Sequence, residues 1–176
     1  MIKFIKLFLC LFFFNLISIS TLKADNLPIV FVDVQKILNE SATGKKVQKS
    51  ISDKVNKNLK IFEKKEKELK DEENEIVNQK NILSKEELDN KVVKFRKEVQ
   101  NFRNKKKEFD NEIKKERLKS VNKMVLRLNE ILADYASEKS IGLIVQKKNI
   151  IIGKSDLDIT NDILIIFNSK VKSINW

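Results

Sequence analysis

The sequence offers few side chains of the kinds that catalyse reactions or bind metal ions. It has no histidine, and its single cysteine, Cys10, lies in an apolar N-terminal run. Without an imidazole or a second thiol, the sequence excludes a Cys–His or Ser–His–Asp nucleophile, the usual structural zinc sites and a disulfide within the chain. The carboxylates are scattered along charged segments. We therefore expect no catalytic residues, no cofactor and no metal ion, and the chain is not expected to be an enzyme.

A second kind of chemistry to consider is phosphate binding. Gly44 and Lys45 could close a phosphate-binding loop, but that motif needs a glycine where Asn39 stands, so a helix start is the better interpretation. Runs such as 105–107 and 114–115 are basic and could bind nucleic acid or lipid headgroups. Acidic residues are interleaved with them, which favours a solvated helix face. No nucleic-acid partner is expected.

The N-terminal residues have the pattern of an export signal. Lys3 and Lys6 precede an apolar run at 7–17, and a small, polar stretch ends at Ala24. The run is shorter than the roughly 20 residues that span a bilayer. We expect a signal peptide over 1–24, cleaved after Ala24, with Cys10 as part of it. The remaining 152 residues carry 33 basic and 25 acidic side chains, a net charge of +8.

The middle of the chain has the composition of long, solvated helices. Residues 45–141 contain neither glycine nor proline, the two residues that most often break helices. Between 63 and 119, 33 of 57 residues are charged, too many for a globular core. Such charge would also suit disorder. A heptad pattern of apolar residues argues against disorder.

That pattern predicts an antiparallel helical hairpin. One seam has alternating spacings of four and three and contains Leu88, Val92, Phe95, Val99, Phe102, Lys106, Phe109 and Ile113. Ser84 and Glu87 form a capping box that restarts a helix. If the chain folds back near residue 82, facing residues have numbers that sum to 164. This rule pairs Ile76 with Leu88, Leu69 with Phe95, Phe62 with Phe102, Val55 with Phe109 and Ile51 with Ile113. We predict an arm over 45–139 with its tip near 79–85.

The same rule places polar residues in alternate layers of the arm. It puts Glu72 opposite Val92, Lys65 opposite Val99 and Asn58 opposite Lys106, which predicts a weakly zipped, flexible outer arm. Val92 and Val99 then either pack on the aliphatic stems of lysines or offer apolar surface to a partner. The candidate partner-contact residues are Val92, Val99, Lys65, Lys105, Lys106 and Lys107.

The two ends of the chain predict a small second unit. The composition of residues 29–34 predicts a strand, and that of 143–145 and 150–152 predicts a hairpin or two short strands. Thr160 is expected to cap a final helix. The ends, 25–44 and 140–176, total 57 residues, near the size at which one core is marginal, so an obligate oligomer is expected. The candidate residues for subunit contacts are Val30, Val32, Leu143, Val145 and Ile151. The fold class is α+β, a helical hairpin arm on a β-rich oligomerisation body.

These elements, in this order, resemble the Skp/OmpH family of periplasmic chaperones of Gram-negative bacteria. The front match consists of Ile29-Val30-Phe31-Val32-Asp33, Ile37-Leu38, Ser41 and Gly44-Lys45. The back match consists of Gly142-Leu143-Ile144-Val145, Asn149-Ile150-Ile151-Ile152 and Asp158-Ile159-Thr160 with Ile163-Leu164. The sequence departs from the family at Gln146-Lys147, where an acid is frequent, and in the next strand, where isoleucines replace a tyrosine.

The resemblance implies a jellyfish-shaped homotrimer, whose three arms surround a cavity. It implies an ATP-independent holdase in the periplasm, which binds unfolded outer-membrane β-barrel proteins until they insert. Lipopolysaccharide or an anionic membrane surface is a further partner that the family's basic surface suggests. The alternative is an envelope coiled-coil adaptor or structural protein that binds a fixed folded partner. A basic binder of nucleic acid or lipid is a third, weaker reading.

Overall fold

The computed structural model describes residues 27–174. The predicted signal peptide and Trp176 lie outside the described residues. The elements, in chain order, are β1 (Ile29–Val32), α1 (Val34–Glu40), α2 (Ala42–Gln79), α3 (Lys85–Glu138), β2 (Leu143–Gln146) and α4 (Thr160–Lys170), with 3₁₀ turns at Lys147–Asn149 and Ser155–Leu157. None of the helices within 27–174 has a stretch long and apolar enough to cross a membrane. The chain has the predicted α+β fold, dominated by two long helices.

The two long helices form the antiparallel arm that the heptad pattern predicts. α2 has 38 residues and α3 has 54, which correspond to about 57 Å and 81 Å at 1.5 Å per residue. The short connection 80–84 joins them. The backbone N–H of Glu87 donates to the Ser84 hydroxyl at 3.3 Å, and the backbone N–H of Ser84 donates to the Glu87 carboxylate at 3.0 Å. The predicted capping box is therefore confirmed.

Aromatic rings set the register of the arm. The ring of Phe62 on α2 lies 5.9 Å from that of Phe102 and 5.5 Å from that of Phe109 on α3, both edge to face. The predicted pair of Phe62 with Phe102 is confirmed. Phe109, which was expected opposite Val55, packs against Phe62 as well. A side chain of α2 therefore packs between two heptad layers of α3.

The polar residues Asn58 and Lys106, predicted opposite each other, bond to other partners. The Lys106 ammonium lies 2.7 Å from the Glu66 carboxylate. The Asn58 amide instead donates to the carbonyl of Lys54, one turn earlier in its own helix. Glu66 lies about two turns further along α2 than Asn58, and its carboxylate gives the long lysine side chain a charged partner that the amide cannot.

The body has one core, and the bases of both arm helices contribute to it. Its buried apolar side chains come mainly from the helices and β1: Val30, Val32, Ile37, Leu38, Val47, Ile51, Met124, Leu128, Ile131, Ile159, Ile163, Phe167 and Val171. Five of these thirteen lie within 45–139, the segment predicted as arm. The core is therefore larger than the two chain ends alone could build.

The sheet of the body has two strands, which run parallel. Ile29 pairs with Leu143, and the register continues to Val32 with Gln146. The second strand predicted at 150–152 is wrong for the single chain, as is the hairpin it would have formed. After β2 the chain enters a 3₁₀ turn, so residues 150–152 meet no strand with which to pair among residues 27–174.

The start of α4 also differs from the prediction. Ile159 precedes the helix, and the Thr160 side chain does not cap it. The Thr160 hydroxyl instead accepts a hydrogen bond from the Asp33 backbone N–H at 2.8 Å and donates one to the Asp158 carboxylate. Asp158 accepts the backbone N–H of Thr160 at 3.0 Å, which satisfies one of the open donors at the helix start. The hydroxyl therefore ties α4 to the end of β1.

Gly44 lies at the start of α2 and confirms the helix-start interpretation. Its backbone N–H donates to the Ser41 hydroxyl at 3.1 Å, which caps the helix. A Cβ at this position would lie 1.8 Å from the carbonyl oxygen of Leu38. Glycine is needed here because α1 and α2 pass too close for any side chain.

Candidate functional site

Charge is divided along the arm. The middle of the arm, residues 60–68 and 97–107, carries nine basic and four acidic side chains, a net charge of +5. We call it the cationic band. The outer part, residues 69–91, carries four basic and seven acidic side chains, a net charge of −3, and is called the acidic tip. An anionic partner would therefore be attracted to the middle of the arm and repelled from its end.

A groove of about 450 Å³ lies between α2 and α3 within the cationic band. Phe62 and Phe102, both half-buried, supply its aromatic surface. The other lining residues are Ile61, Lys64, Lys65 and Glu68 on α2, and Glu98, Asn101 and Lys105 on α3. We call it the arm groove. It joins exposed apolar surface to ammonium groups.

Helical spacing explains why these side chains meet. The lining residues of each helix recur at intervals of three or four, so they share one face of it. Lys65 crosses between the helices, with its ammonium 3.4 Å from Glu98 and 3.7 Å from Glu68. These pairs are partly exposed, and such pairs typically contribute up to about 1 kcal/mol. They hold the arm groove together weakly.

The structure brings two of the six predicted partner-contact residues, Lys65 and Lys105, into the arm groove. Lys106 lies outside its lining, and its ammonium is 5.6 Å from the centre of the Phe102 ring. Lys107 is exposed, and Val92 and Val99 are half-buried. Packing on lysine stems would cover these two valines, and contact with a partner would need them exposed. Half-burial agrees with neither alternative fully.

The arm also exposes apolar residues that sequence reasoning missed. Ile61 is 54% exposed and lines the arm groove, and Leu59 and Val93 are also exposed. Val77 and Ile82 are exposed in the acidic tip. None of the five lies on the apolar seams that predicted the hairpin. An apolar residue off the seam of a charged coiled coil was the signal that could have found them.

The predicted subunit-contact residues fall into two groups. Val30 and Val32 are buried in the core of their own chain, and Val145 is half-buried. Leu143 and Ile151 are exposed, Ile151 completely, and its neighbour Ile152 is 91% exposed. The body therefore presents apolar side chains that no described residue of the same chain covers.

Ion pairs tie the elements together below the arm groove. Lys54 on α2 lies 2.8 Å from Glu112 and from Glu116 on α3, and hydrogen bonds to both carboxylates raise the pKa of Lys54. In the body, Lys147 lies 2.7 Å from Asp158. Burial alone would raise the pKa of Asp158, but hydrogen bonds from Lys147 and Thr160 lower it overall.

One further contact links the arm to α4. The Tyr135 hydroxyl donates to Asp162 at 2.9 Å, and burial, followed by this hydrogen bond, raises the pKa of the tyrosine. Within residues 27–174, no group of three or more acidic residues has the arrangement needed to hold a metal ion. The titratable groups described here serve structural contacts between elements.

Comparison with known proteins agrees with this architecture. A model of the family described as outer membrane protein (OmpH-like) matches residues 28–166. The crystal structure of a candidate outer membrane chaperone (OmpH-like) from Caulobacter crescentus CB15 has a similar fold, with a TM-score of 0.78 and 11% sequence identity, over 84% of this chain and 88% of that chain. No curated protein sequence matches. Because the family match spans both strands, the whole arm and most of α4, the chain belongs to the OmpH-like outer membrane protein family.

Proposed function

We propose that the chain is an ATP-independent periplasmic chaperone, which binds unfolded outer-membrane β-barrel proteins between helical arms until they insert. Its family membership, and the similar fold of a candidate outer membrane chaperone, support a chaperone role. The observation that carries the proposal is the exposure of Ile61, with half-buried Phe62 and Phe102 beside it, among the lysines of the cationic band. A solvated helix has no need of exposed apolar groups for its own folding.

The physical basis of binding is a large number of weak contacts. Lysines attract an acidic client over a Debye length of about 10 Å at moderate salt. Exposed residues such as Leu59, Ile61 and Val93 add small apolar contacts without one fixed geometry. Contacts of this kind can hold chains of different sequence and release them without nucleotide. They suit an unfolded client better than a folded one.

The body supports the homotrimer as part of the same proposal. A two-stranded sheet is marginal by itself, and Leu143, Ile151 and Ile152 are exposed beside it. In a trimer, the 150–152 segment would find a strand edge or an apolar surface on a neighbouring copy. Three arms would then project from one body and enclose a cavity.

Sedimentation equilibrium tests the assembly. The protein should sediment with the mass of three chains, and Ile151→Asp should shift it towards single chains, because a carboxylate at a buried contact is costly. Val77→Asp, an exposed position in the acidic tip, is the matched control and should leave the mass unchanged. A monomer for the unmodified protein would contradict the trimer.

Client choice distinguishes the proposal from the envelope adaptor. The protein would be mixed with two unrelated β-barrel proteins diluted from urea and with a folded acidic protein, and the complexes separated by size-exclusion chromatography. The proposal predicts complexes with both unfolded proteins and none with the folded one. Binding only to one folded partner would support the adaptor. Binding that is lost steeply with salt and is indifferent to folding would support the weaker reading, a basic surface binder of lipid or nucleic acid.

A further inference from the structure

We propose that the arm groove is a specific subsite for an extended acidic peptide segment, in which an apolar side chain lies between carboxylates. The proposal deepens the chaperone function and rests on it, since an unfolded client is what would present such a segment. Its starting point is the combination of Ile61, Phe62 and Phe102 with Lys64 and Lys105 in one concave surface.

The apolar part of the arm groove is open to a ligand. Ile61 is 54% exposed, and the rings of Phe62 and Phe102 are only half-buried although they pack against each other. Lys106 contacts both rings with its ammonium but does not line the groove. An aromatic or aliphatic side chain entering the groove would therefore bury apolar surface that the arm leaves partly in water.

The charges of the arm groove determine which residues of the ligand can flank its apolar side chain. The two carboxylates that line it, Glu68 and Glu98, both pair with Lys65. Lys105 makes no ion pair within residues 27–174, and Lys64 reaches Glu68 only at 4.0 Å. Two ammonium groups on opposite helices are thus available to carboxylates of a ligand. The rest of the cationic band has a net charge of +4, with the groove's own three lysines and two glutamates left out, and adds attraction of the same sign.

The dimensions favour a short extended segment. From Ile61 to Glu68 the groove follows about 10 Å of α2, at 1.5 Å per residue. Three extended residues span about the same length. One apolar side chain with an acidic residue on each side therefore matches the length and the charges. A lipid bilayer fits less well, because the rings lie recessed between two helices, where a flat membrane surface cannot reach them.

Fluorescence anisotropy of labelled peptides tests the site. The probe is a ten-residue peptide of glycine and serine with a central Asp-Phe-Asp, titrated with the purified protein at fixed salt. Ile61→Gln and Lys105→Glu should each weaken binding at least about fivefold, a loss of about 1 kcal/mol. Both positions are exposed. Thermal unfolding midpoints should therefore stay within about 2 °C of the unmodified protein.

Matched controls separate the groove from its surroundings. Ile82→Gln removes an apolar residue that is 81% exposed in the acidic tip, and Lys119→Glu makes the same charge change on α3 about 21 Å from Lys105. Both should change binding less than about twofold. Peptides with Asp-Ser-Asp or Lys-Phe-Lys at the centre should bind at least about fivefold more weakly than the probe.

Three results would overturn the proposal. Equal weakening by Lys105→Glu and Lys119→Glu would mean that only the overall charge acts. Equal binding of the Asp-Ser-Asp peptide would show that no apolar pocket is used. If the groove variants lost binding to phosphatidylglycerol vesicles but kept binding to the peptide, the groove would be a lipid site.

Different results would refute the proposed chaperone function and the proposed peptide subsite. Suppression of client aggregation with peptide binding that ignores the groove variants would refute the subsite and leave the function standing. Peptide binding that depends on the groove, in a protein that does not suppress aggregation, would refute the function and leave the subsite standing.

Discussion

The Lys54 ammonium on α2 donates a hydrogen bond of 2.8 Å to the Glu116 carboxylate on α3, across the base of the arm. Only 19% of the Glu116 side chain is exposed, whereas the second carboxylate bound to Lys54, Glu112, is 61% exposed. The pair with Glu116 is therefore the better shielded link between the helices, just where the arm leaves the body.

This relationship predicts unequal effects of removing the two carboxylates. Glu116→Gln should lower the free energy of unfolding by about 1 kcal/mol, and Glu112→Gln by less than about half of that, because solvent screens the more exposed pair. Urea unfolding at one fixed protein concentration measures both, and a double-mutant cycle with Lys54→Gln isolates the coupling. Equal losses for the two glutamines would contradict the assignment.

Asp158 makes stability depend on acid pH. Burial would raise its pKa, but hydrogen bonds from Lys147 and Thr160 outweigh burial and hold the pKa below the ordinary value of 3.8. A lowered pKa in the folded state means that the stabilisation is present above the ordinary value and is lost as the pH falls through the folded one. We expect the free energy of unfolding to decline below about pH 4.

Asp158→Asn tests that contribution. The amide keeps the shape but loses the charge-assisted hydrogen bonds, so the free energy of unfolding at pH 7 should fall by about 1–2 kcal/mol. Urea titrations from pH 3 to pH 7 should also show a shallower acid decline for the variant. Asp156→Asn, an exposed neighbour, is the control. An unchanged acid decline in Asp158→Asn would refute the assignment.

Ser140 offers a site for stabilisation. It is the only described non-glycine residue with a positive φ, at 52°, and it ends the turn after α3. This conformation costs an L-residue about 1 kcal/mol or more that glycine does not bear. Ser140→Gly should therefore raise the free energy of unfolding by about 0.5–1 kcal/mol, measured by urea unfolding. Ser137→Gly, within α3, should instead lower it, and a gain at Ser137 would contradict the argument.

Glu72 tests the flexibility of the outer arm. It is half-buried, was predicted opposite Val92, and makes no ion pair or hydrogen bond in the described part of the chain. Glu72→Leu should make this layer pack more tightly. The free energy of unfolding should rise by about 1 kcal/mol, because part of the leucine is buried. Slower hydrogen exchange over 69–91 would show it. Glu73→Leu, on an exposed face, should leave exchange unchanged, and equal effects would rule out the layer account.

Local sequence patterns were enough to predict much of the fold. The capping box at Ser84, the helix start at Gly44 and the packing of Phe62 against Phe102 all follow from spacings within the sequence. Heptads and caps act over three to seven residues, so they are visible without the fold. The parallel pairing of β1 with β2 joins segments about 110 residues apart, and no local pattern specifies it.

The predictions that were wrong also failed because the structure depends on contacts between distant parts of the chain. Residues 150–152 have a strand's composition, but a strand needs a partner edge, and residues 27–174 of the same chain provide none there. Thr160 has a capping residue's chemistry, but its hydroxyl is bound to Asp33, 127 positions away. The shape of the arm groove depends on how closely the aromatic rings of α2 and α3 pack against each other. Lys65 and Lys105 were predicted as candidates, whereas Lys64 was missed, and Ile61 was missed because it lies off the seam.

The central claim is that this protein keeps unfolded β-barrel proteins soluble without nucleotide. Light scattering tests it most directly, as a urea-unfolded outer-membrane β-barrel protein is diluted into buffer with the purified protein, or with a folded acidic protein as control. We predict suppressed scattering at about one trimer per client, with no effect of the control protein. Scattering that rises as fast as in buffer alone would contradict the account.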